Sequence, residues 1–322
     1  MKIDIENVGD YGHDLNRPEC VLCLGSGDLF VSHKGVGVTH IAPGGRQRII
    51  GGARDVDGHE LVPNGIALLP DRSFLIANIG EAGGVWRLQA DGTITPYLIE
   101  VDGERLVAAN FVMNDAQGRV WITVSTRKQP RFLAYSPEVA DGFVVLADAR
   151  GARIVADGCS FTNELRLAAD GRSVYVSETF GRCISRFAVR ADGSLGARED
   201  FVTFGHGTFP DGIAFDEEDH LWVTSIVSNR LIRIAPNGSS EVLLEDSVAE
   251  HVDTVERALA EGRMAREHFY TMQSRKLRNI SSIAFGGADR RTVYLGSLMG
   301  TSLATLHSPV PGRKPVHWDY LF

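Results

Sequence analysis

The feature that most constrains the fold of this chain is a repeated pattern of two β-rich runs joined by a short polar turn. The copy at residues 211–225 reads DGIAFDEEDHLWVTS, with a polar leading residue, an apolar run, an acidic turn and a second run. Six copies begin at residues 19, 64, 110, 163, 211 and 281, so successive copies start 45, 46, 53, 48 and 70 residues apart. Such a period with two strands per repeat is typical of propeller blades. The sequence therefore predicts an all-β fold, a six-bladed β-propeller.

The six repeats account for the whole chain, so residues 1–322 are predicted to form one domain. The 35 glycines suit a β protein with many turns, and a hydrophobic content of 43% can fill the cores between blades. Lys2–Val8 and the carboxyl-terminal residues KPVHWDYLF read as additional strands. One end of a propeller chain usually completes a sheet begun by the other, so we expect these segments to close the ring.

One helical insertion is predicted before blade six, at about residues 247–275. Val248, Val252, Val255 and Leu259 recur at helical spacing and form one apolar stripe. The insertion leads into the innermost strand of blade six and therefore reaches the face where the leading residues lie. It is expected to form either a lid or pocket wall, or a helix on the rim or in a dimer contact.

Charge and composition exclude several classes of partner. A formal charge of −8 and a pI near 5.7 argue against general nucleic-acid binding. No apolar run approaches about 18 residues, so no membrane span is expected. The first residues lack the apolar core of a signal peptide, which favours the cytoplasm. Cys20 and Cys23 form a C-x-x-C within a strand, where they would point to opposite faces, so buried small hydrophobes are expected.

The leading residues of the repeats carry the predicted chemistry. Inner strands converge on the propeller axis, so these residues should form a ring: Glu19, Asn64, Asn110, Asn163, Asp211 and Ser281. Two carboxylates brought together away from water repel each other, and a divalent cation would remove that penalty. Oxygen ligands suit Ca²⁺, Mg²⁺ or Mn²⁺, with Zn²⁺ as another candidate. The alternative is that Asn or Asp before Gly, as at Asn64 and Asp211, simply forms a turn. Five oxygen donors in register favour a metal site.

Glu19 in RPEC, together with Asn110, Asn163 and Asp211 in FPDGIAFD, resembles the SMP-30/gluconolactonase/LRE-like family of regucalcin-type six-bladed propeller lactonases. The resemblance covers most of the chain. It implies that Glu19, Asn163 and Asp211 bind one divalent metal ion, with Ca²⁺ as the first candidate. It also implies that Asp211 is the catalytic base and that Asn110 lies near the metal or substrate.

Three positions depart from the pattern of that family. Glu19 is followed by Cys20 and not by Gly-Pro, Ala108 replaces an arginine common in sugar lactonases, and Glu164 follows Asn163 where glycine is common. These differences leave the predicted metal ligands intact and leave the sugar preference open.

Further substrate contacts are predicted at Asn64, at the cationic pair Arg127 and Lys128, and at His206 ahead of Asp211. The cationic pair would suit an anionic substrate. The alternative for both the pair and the histidine is an exposed, solvated loop.

The predicted function is a metal-dependent hydrolase that opens a small-molecule lactone, a sugar-acid or related acidic lactone, by metal-activated water addition. One alternative is a phosphotriesterase or aryl esterase using the same site, and another is a strictosidine-synthase-like propeller enzyme that needs no catalytic metal. The sequence lacks G-x-S-x-G, which argues against a serine nucleophile. A binding scaffold is disfavoured because Trp-Asp occurs only at Trp318. A homodimer is an open expectation.

Overall fold

A computed structural model describes residues 2–52, 55–271 and 274–322. The described residues form six four-stranded antiparallel sheets around one axis, which confirms the predicted six-bladed β-propeller. In blades one to five the strands follow chain order from the axis outwards. In chain order, the strands of the first half are β1 (Gly9–Tyr11); blade one, β2 (Val21–Cys23), β3 (Leu29–His33), β4 (Gly37–Ile41) and β5 (Gln47–Gly51); a small hairpin, β6 (Asp55–Val56) and β7 (His59–Glu60); blade two, β8 (Pro63–Leu68), β9 (Phe74–Asn78), β10 (Val85–Leu88) and β11 (Ile94–Leu98); a second hairpin, β12 (Glu100–Val101) and β13 (Glu104–Arg105).

The remaining strands form blades three to six in the same arrangement. These are blade three, β14 (Ala109–Asn114), β15 (Val120–Val124), β16 (Gly142–Asp148) and β17 (Gly151–Cys159); blade four, β18 (Thr162–Leu167), β19 (Ser173–Glu178), β20 (Cys183–Ala188) and β21 (Glu199–Thr203); blade five, β22 (Thr208–Phe215), β23 (Leu221–Val227), β24 (Arg230–Ile234) and β25 (Ser240–Glu245); and blade six, β26 (Ile280–Gly286), β27 (Thr292–Ser297) and β28 (Leu303–His307), completed by β1.

The ring closes where β1 pairs with β28, with Gly9 opposite Thr305. The predicted amino-terminal strand therefore lies later than expected, because Ile5–Asn7 forms a 3₁₀ turn that Asp4 caps by accepting a hydrogen bond from the amide of Glu6. The amino-terminal region closes the ring as predicted, with β1 as the outermost strand of blade six.

The carboxyl-terminal segment, predicted as a strand, forms turns instead. The outer position of blade six is already filled by β1, so this segment packs elsewhere. The carbonyl of Trp318 accepts a hydrogen bond from the amide of Gly25, and the ring of Phe322 lies 4.5 Å from that of Phe30. The carboxyl end therefore covers blade one and the face opposite the leading residues.

The acidic turn of the repeat has a structural role that two blades show directly. In blade three the Asp115 carboxylate accepts a hydrogen bond from the indole of Trp121, and in blade five Asp216 does the same for Trp222, each at 2.9 Å. Each aspartate also accepts backbone amide bonds from its own turn. The turn is thus tied to the second strand, and both indoles are fully buried.

The inner strands bulge at their leading residues. The pairing register between the first two strands shifts between Pro63 and Ile66 in blade two, and at the equivalent points in blades three to six. A bulge interrupts the alternation of side chains and can turn a chosen residue away from the sheet. Asn64 and Asp211 therefore lie in strands and not in turns, and the glycines that follow them have another purpose. A Cβ on Gly65 would lie 2.6 Å from the Cα of Phe111 in the next blade.

The insertion before blade six contains helix α1 (Ala249–Ala260) and the short helix α2 (Glu267–Tyr270). The predicted stripe is present, since Val252 and Val255 are buried against blades four and five. Met272 and Gln273, which the predicted insertion includes, lie outside the described residues. No helix in the described part of the chain is both long and apolar enough to cross a membrane.

Cys20 and Cys23 are free, buried and packed into different core clusters, as expected for opposite faces of a strand. Burial raises the pKa of the Cys20 thiol to about 12, so this side chain is protonated at neutral pH and poorly suited to redox chemistry.

Candidate active site

A cavity of about 840 Å³ opens on the face where the inner strands begin. All six blades contribute to its wall. Four of the six leading residues line it: Glu19, Asn110, Asn163 and Asp211. The fold therefore brings together residues that are up to 192 positions apart in the chain, and these four side chains are nearly fully buried.

Arg17 organises the side of the site formed by blades one to three. Its Nη2 atom lies 2.8 Å from Glu19 Oε2 and donates a 2.9 Å hydrogen bond to Asn64 Oδ1. Asn64 Nδ2 in turn lies 3.2 Å from Asn110 Oδ1, and Asn110 Nδ2 donates to Ser125 Oγ at 3.0 Å. The backbone of Arg17 has φ of 52°, an unusual value for a non-glycine residue. Asn64 lies behind the cavity wall and orients Asn110.

The Asn163 amide is fixed from the opposite side. Its Nδ2 donates to Thr179 Oγ1 at 3.1 Å, and that hydroxyl donates to the carbonyl of Pro210 at 2.9 Å. The hydrogen bond occupies the amide nitrogen. It therefore leaves the Asn163 oxygen free to face the cavity.

Three buried oxygens of the site lack a hydrogen-bond partner among the described residues: Glu19 Oε2, Asn163 Oδ1 and Asp211 Oδ1. The Arg17 contact to Glu19 is an ion pair without hydrogen-bond geometry. Unpaired buried oxygens are costly, and they are the atoms that a hard divalent cation would coordinate. These residues therefore fit a divalent metal ion. No cluster of three His, Cys, Asp or Glu side chains suited to a metal occurs in the described ranges, and the set here combines two carboxylates with an amide.

Burial raises the pKa of Asp211 well above its usual range, and the charges of Glu19 and Glu164 raise it further. Burial likewise raises the pKa of Glu164 to about 7, although the Arg166 cation 2.8 Å away opposes the shift. Glu164 also accepts a 3.1 Å hydrogen bond from the amide of Ile213, which lies in β22, the strand that carries Asp211. Several carboxyl groups thus share a small volume, where an added positive charge would be stabilising.

The helical insertion forms part of the cavity wall. Arg266, Phe269 and Tyr270, all from its second half, line the cavity. Burial raises the pKa of the Tyr270 hydroxyl, but Arg17 and Arg266 together oppose this effect, and the pKa is lowered overall. Helix α1 is held to the propeller by Glu256, which pairs with Arg182 at 2.7 Å. The position of these residues agrees with the pocket-wall alternative predicted for the insertion.

Four of the five predicted substrate contacts do not line the cavity: Asn64, Arg127, Lys128 and His206. Arg127 makes a two-pronged contact with Asp157, at 2.8 and 3.0 Å, and Asp157 lies in β17, the outermost strand of the same blade. Lys128 is exposed on the following loop. His206 is exposed and lies 3.3 Å from Asp253 of α1.

Sequence reasoning missed several cavity residues, among them Arg17, Arg131, Thr179 and Tyr270. Arg17 carried a signal, since it stands two residues before the ring glutamate. Arg131 stands three residues after Lys128, the second residue of the predicted cationic pair. The sequence offers no periodic signal for Tyr270, because the insertion lies outside the repeat.

Comparison with known proteins agrees with this architecture. Residues 53–248, more than half of the chain, match the SMP-30/gluconolactonase/LRE-like region. A 6-deoxy-6-sulfogluconolactonase from Pseudomonas putida is 27% identical over 218 residues, which are 66% of this chain and 62% of that relative. Less than two thirds of the relative's length is therefore matched.

Solved structures share the fold at lower identity. A gluconolactonase from Xanthomonas campestris is 21% identical with a TM-score of 0.67, over 94% of this chain and 88% of the other. The calcium-binding protein regucalcin from Agrobacterium tumefaciens is 16% identical with a TM-score of 0.64, over 97% and 94%. The fold, the ring of leading residues and the match over residues 53–248 lead to one conclusion: this chain belongs to the SMP-30/gluconolactonase/LRE-like family.

Proposed function

We propose that the protein is a divalent-metal-dependent lactonase. The observation that carries this proposal is the set of three buried oxygens without a hydrogen-bond partner among the described residues, from Glu19, Asn163 and Asp211, around one cavity. Hydrolysis of a lactone is the activity of the family to which the chain belongs, and a carboxylate beside a bound cation is suited to it.

The metal ion would be held by Glu19, Asn163 and Asp211. Ca²⁺ is the first candidate, since the ligands are oxygens and a fold relative is a calcium-binding protein, with Zn²⁺, Mg²⁺ and Mn²⁺ as alternatives. When bound, the cation would act as a Lewis acid toward the lactone carbonyl. Arg17 keeps Glu19 in place from behind, and the Thr179 hydroxyl keeps the Asn163 oxygen turned inward.

Asp211 is the proposed general base. It is buried at the cavity wall, and a carboxylate that gives one oxygen to the metal ion would keep the other to accept a proton from an attacking water molecule. Its raised pKa means that the ionised, basic form is favoured only as pH rises. Asn110, fixed by Asn64 and Ser125, would orient the substrate through its amide dipole.

The proposed substrate is a sugar-acid lactone or a related acidic lactone. A cavity of about 840 Å³ lies within the usual size of small-molecule sites. The similarity to a sulfogluconolactonase supports a sugar lactone with an anionic substituent. We also propose a cytoplasmic location, a homodimer, and no nucleic-acid or membrane partner, on the sequence alone.

A second candidate is an aryl esterase or phosphotriesterase that uses the same site. It is favoured by one observation, an aromatic wall that sugar binding alone does not require: Phe132, Tyr135, Phe161, Phe180, Phe269 and Tyr270. A strictosidine-synthase-like enzyme remains a third candidate, and it predicts activity that needs no metal.

The test combines metal removal with a substrate screen. Protein stripped with EDTA is expected to lose hydrolysis of aldonolactones, measured by proton release, and to regain it with Ca²⁺ or Mn²⁺. Ca²⁺ at about 100 times its Kd should stabilise the wild-type fold by about 2.7 kcal/mol, seen as a higher melting temperature. Glu19→Gln should remove this thermal response. Full turnover in stripped protein, with no thermal response to any divalent ion, would refute the metal-dependent proposal.

A further inference from the structure

The charges around the cavity are unevenly balanced. Nine acidic, basic or histidine side chains among the described residues line it: Arg17, Glu19, Lys34, His59, Glu60, Glu81, Arg131, Asp211 and Arg266. Six of them form three pairs, in which Arg17 meets Glu19 at 2.8 Å, Lys34 meets Glu60 at 3.4 Å, and His59 meets Glu81 at 3.1 Å. Asp211 belongs to the proposed metal site. Two arginines remain.

Arg131 and Arg266 have no acidic side chain within ion-pair distance among the described residues, whereas the other cationic groups of the cavity do. Arg131 Nε is also buried, and it has no hydrogen-bond partner among the described residues. A guanidinium that faces the cavity without an ion-pair partner has N–H donors free to bind a ligand.

The two arginines are carried by elements that pack against each other. The Arg131 guanidinium lies 5.1 Å from the ring of Phe161, and that of Arg266 lies 5.3 Å from Tyr270. Tyr135 connects the two sides, because its ring lies 5.4 Å from Phe161 and 5.3 Å from Phe269. Stacking on aromatic faces restricts where each guanidinium can point and reduces the entropy lost when it binds a ligand.

We propose that Arg131 and Arg266 form an anion subsite that recognises a carboxylate, sulfonate or phosphate group of the substrate, remote from its lactone carbonyl. This inference rests on the proposed lactonase function. Guanidinium groups bind such planar or tetrahedral oxyanions through two parallel hydrogen bonds. The lactone carbonyl would face the proposed metal site, so the substrate would be oriented with its carbonyl toward Asp211 and its anionic end toward the arginines.

Four lactones that differ only at carbon 6 test the proposal. Glucono-δ-lactone carries a neutral hydroxyl there, and the others carry a carboxylate, a sulfonate or a phosphate. We expect wild-type kcat/KM to be at least about 10-fold higher for one or more anionic lactones than for the neutral one, because charge-assisted hydrogen bonds discriminate at this scale. The comparison among the three anions shows which oxyanion the subsite fits.

Substitutions separate recognition from folding. Arg131→Gln and Arg266→Gln should each lower kcat/KM for the preferred anionic lactone by about 10- to 100-fold and change it less than about 3-fold for the neutral lactone. Arg131→Lys should recover part of the preference, because it restores the charge. Arg263→Gln is the matched control, since Arg263 lies in the same insertion, pairs with Glu261 and does not line the cavity.

A wild type that hydrolyses all four lactones equally well, or arginine variants that lose neutral and anionic substrates alike, would overturn the subsite and leave the lactonase proposal intact. Calorimetric binding of the open-chain 6-sulfonated acid and of gluconate gives an answer that does not depend on turnover. Selective binding of the sulfonated acid that is lost in Arg131→Gln, in a protein that hydrolyses no lactone, would support the subsite and refute the proposed function.

Discussion

At the scale of single residues, the proposed site depends on three buried oxygen atoms that have no hydrogen-bond partner among the described residues, although Arg17 forms an ion pair with one of them. Glu19 and Asp211 come from blades one and five, are both buried, and raise each other's electrostatic cost. Arg17 compensates only part of this, because it contacts Glu19 and not Asp211. Such an arrangement is unfavourable in an isolated fold and favourable when a cation is present. We therefore expect the proposed metal site to carry a cost in the stability of the metal-free protein.

Asp211→Asn tests this balance. We expect the variant to lose about 10²- to 10⁴-fold in lactone hydrolysis, because the general base is removed. Without metal, the same variant should melt at a higher temperature than wild type at pH 8. The pKa of Asp211 is raised in the folded state, so ionisation destabilises the wild-type fold progressively as pH rises above the ordinary range of aspartate. The difference in melting temperature should shrink as the pH is lowered.

The matched control for this experiment is Asp253→Asn. Asp253 lies on α1 and is exposed, and its carboxylate lies 3.3 Å from the exposed His206. It should leave both activity and melting temperature close to wild type. An Asp211→Asn protein that keeps full turnover, or that is less stable than wild type in the absence of metal at pH 8, would contradict the roles assigned to this carboxylate.

At the scale of the element, the bulged inner strand is the unit that builds the site. In blades two to six a register shift at the leading residue can turn a polar side chain toward the axis, and in blades two and five a glycine in the next position lets the neighbouring inner strand approach. Asn163 is followed by Glu164 and not by glycine, so in blade four a charged side chain enters this crowded region. It is accommodated there by Arg166 and by the amide of Ile213.

Gly65→Ala should therefore destabilise the propeller by about 1–3 kcal/mol, because the added methyl group would overlap the backbone of Phe111 in the adjacent blade. Urea-induced unfolding measures the loss. Gly205→Ala is the control, since no heavy atom lies within 4 Å of the position of its Cβ and its backbone φ is not positive. It should change stability by less than about 0.5 kcal/mol. Equal effects of the two substitutions would argue against close strand approach as the reason for Gly65.

At the scale of the whole molecule, the propeller has two different ends. One end holds the cavity with the proposed metal site. At the other end a second cavity of about 370 Å³ is lined in part by the carboxyl-terminal segment, including Arg313 and His317. His317 is part-buried there, and burial together with the charge of Arg166 lowers the pKa of its imidazole to about 4. The fold thus keeps the His317 imidazole neutral at neutral pH.

This histidine predicts an acid sensitivity of the fold. Between pH 6.5 and about 4 the unfolded chain binds a proton at His317 that the folded chain does not, so stability falls as pH falls through this window. The loss is up to about 3 kcal/mol, and less to the extent that solvent reaches the ring. His317→Asn should reduce the difference between unfolding free energies measured at pH 7.5 and pH 4.5. Parallel pH profiles for wild type and variant would show that His317 does not contribute.

The sequence was sufficient for the fold and for the ring of leading residues, because both follow from a repeat that can be read by spacing. Glu19, Asn110, Asn163 and Asp211 all line the cavity. Spacing could not reveal which cations are free. Arg127 is engaged by Asp157, 30 positions along the chain, whereas Arg131 in the next turn faces the cavity unpaired. Which charges meet depends on strand pairing and loop conformation, and neither is periodic. The contribution of the insertion to the cavity was open for the same reason.

The pairing of β1 with β28 determines when the propeller ring can close during synthesis on the ribosome. Gly9 is synthesised 296 residues before Thr305, the residue it pairs with. The ring cannot close until β28 has been made, so Glu19 and Asp211 cannot share a cation in a completed propeller before that point. Incomplete chains on the ribosome should therefore have no lactonase activity. A circular permutant with new termini in an outer loop would close its ring at a different point in synthesis and would keep the same cavity.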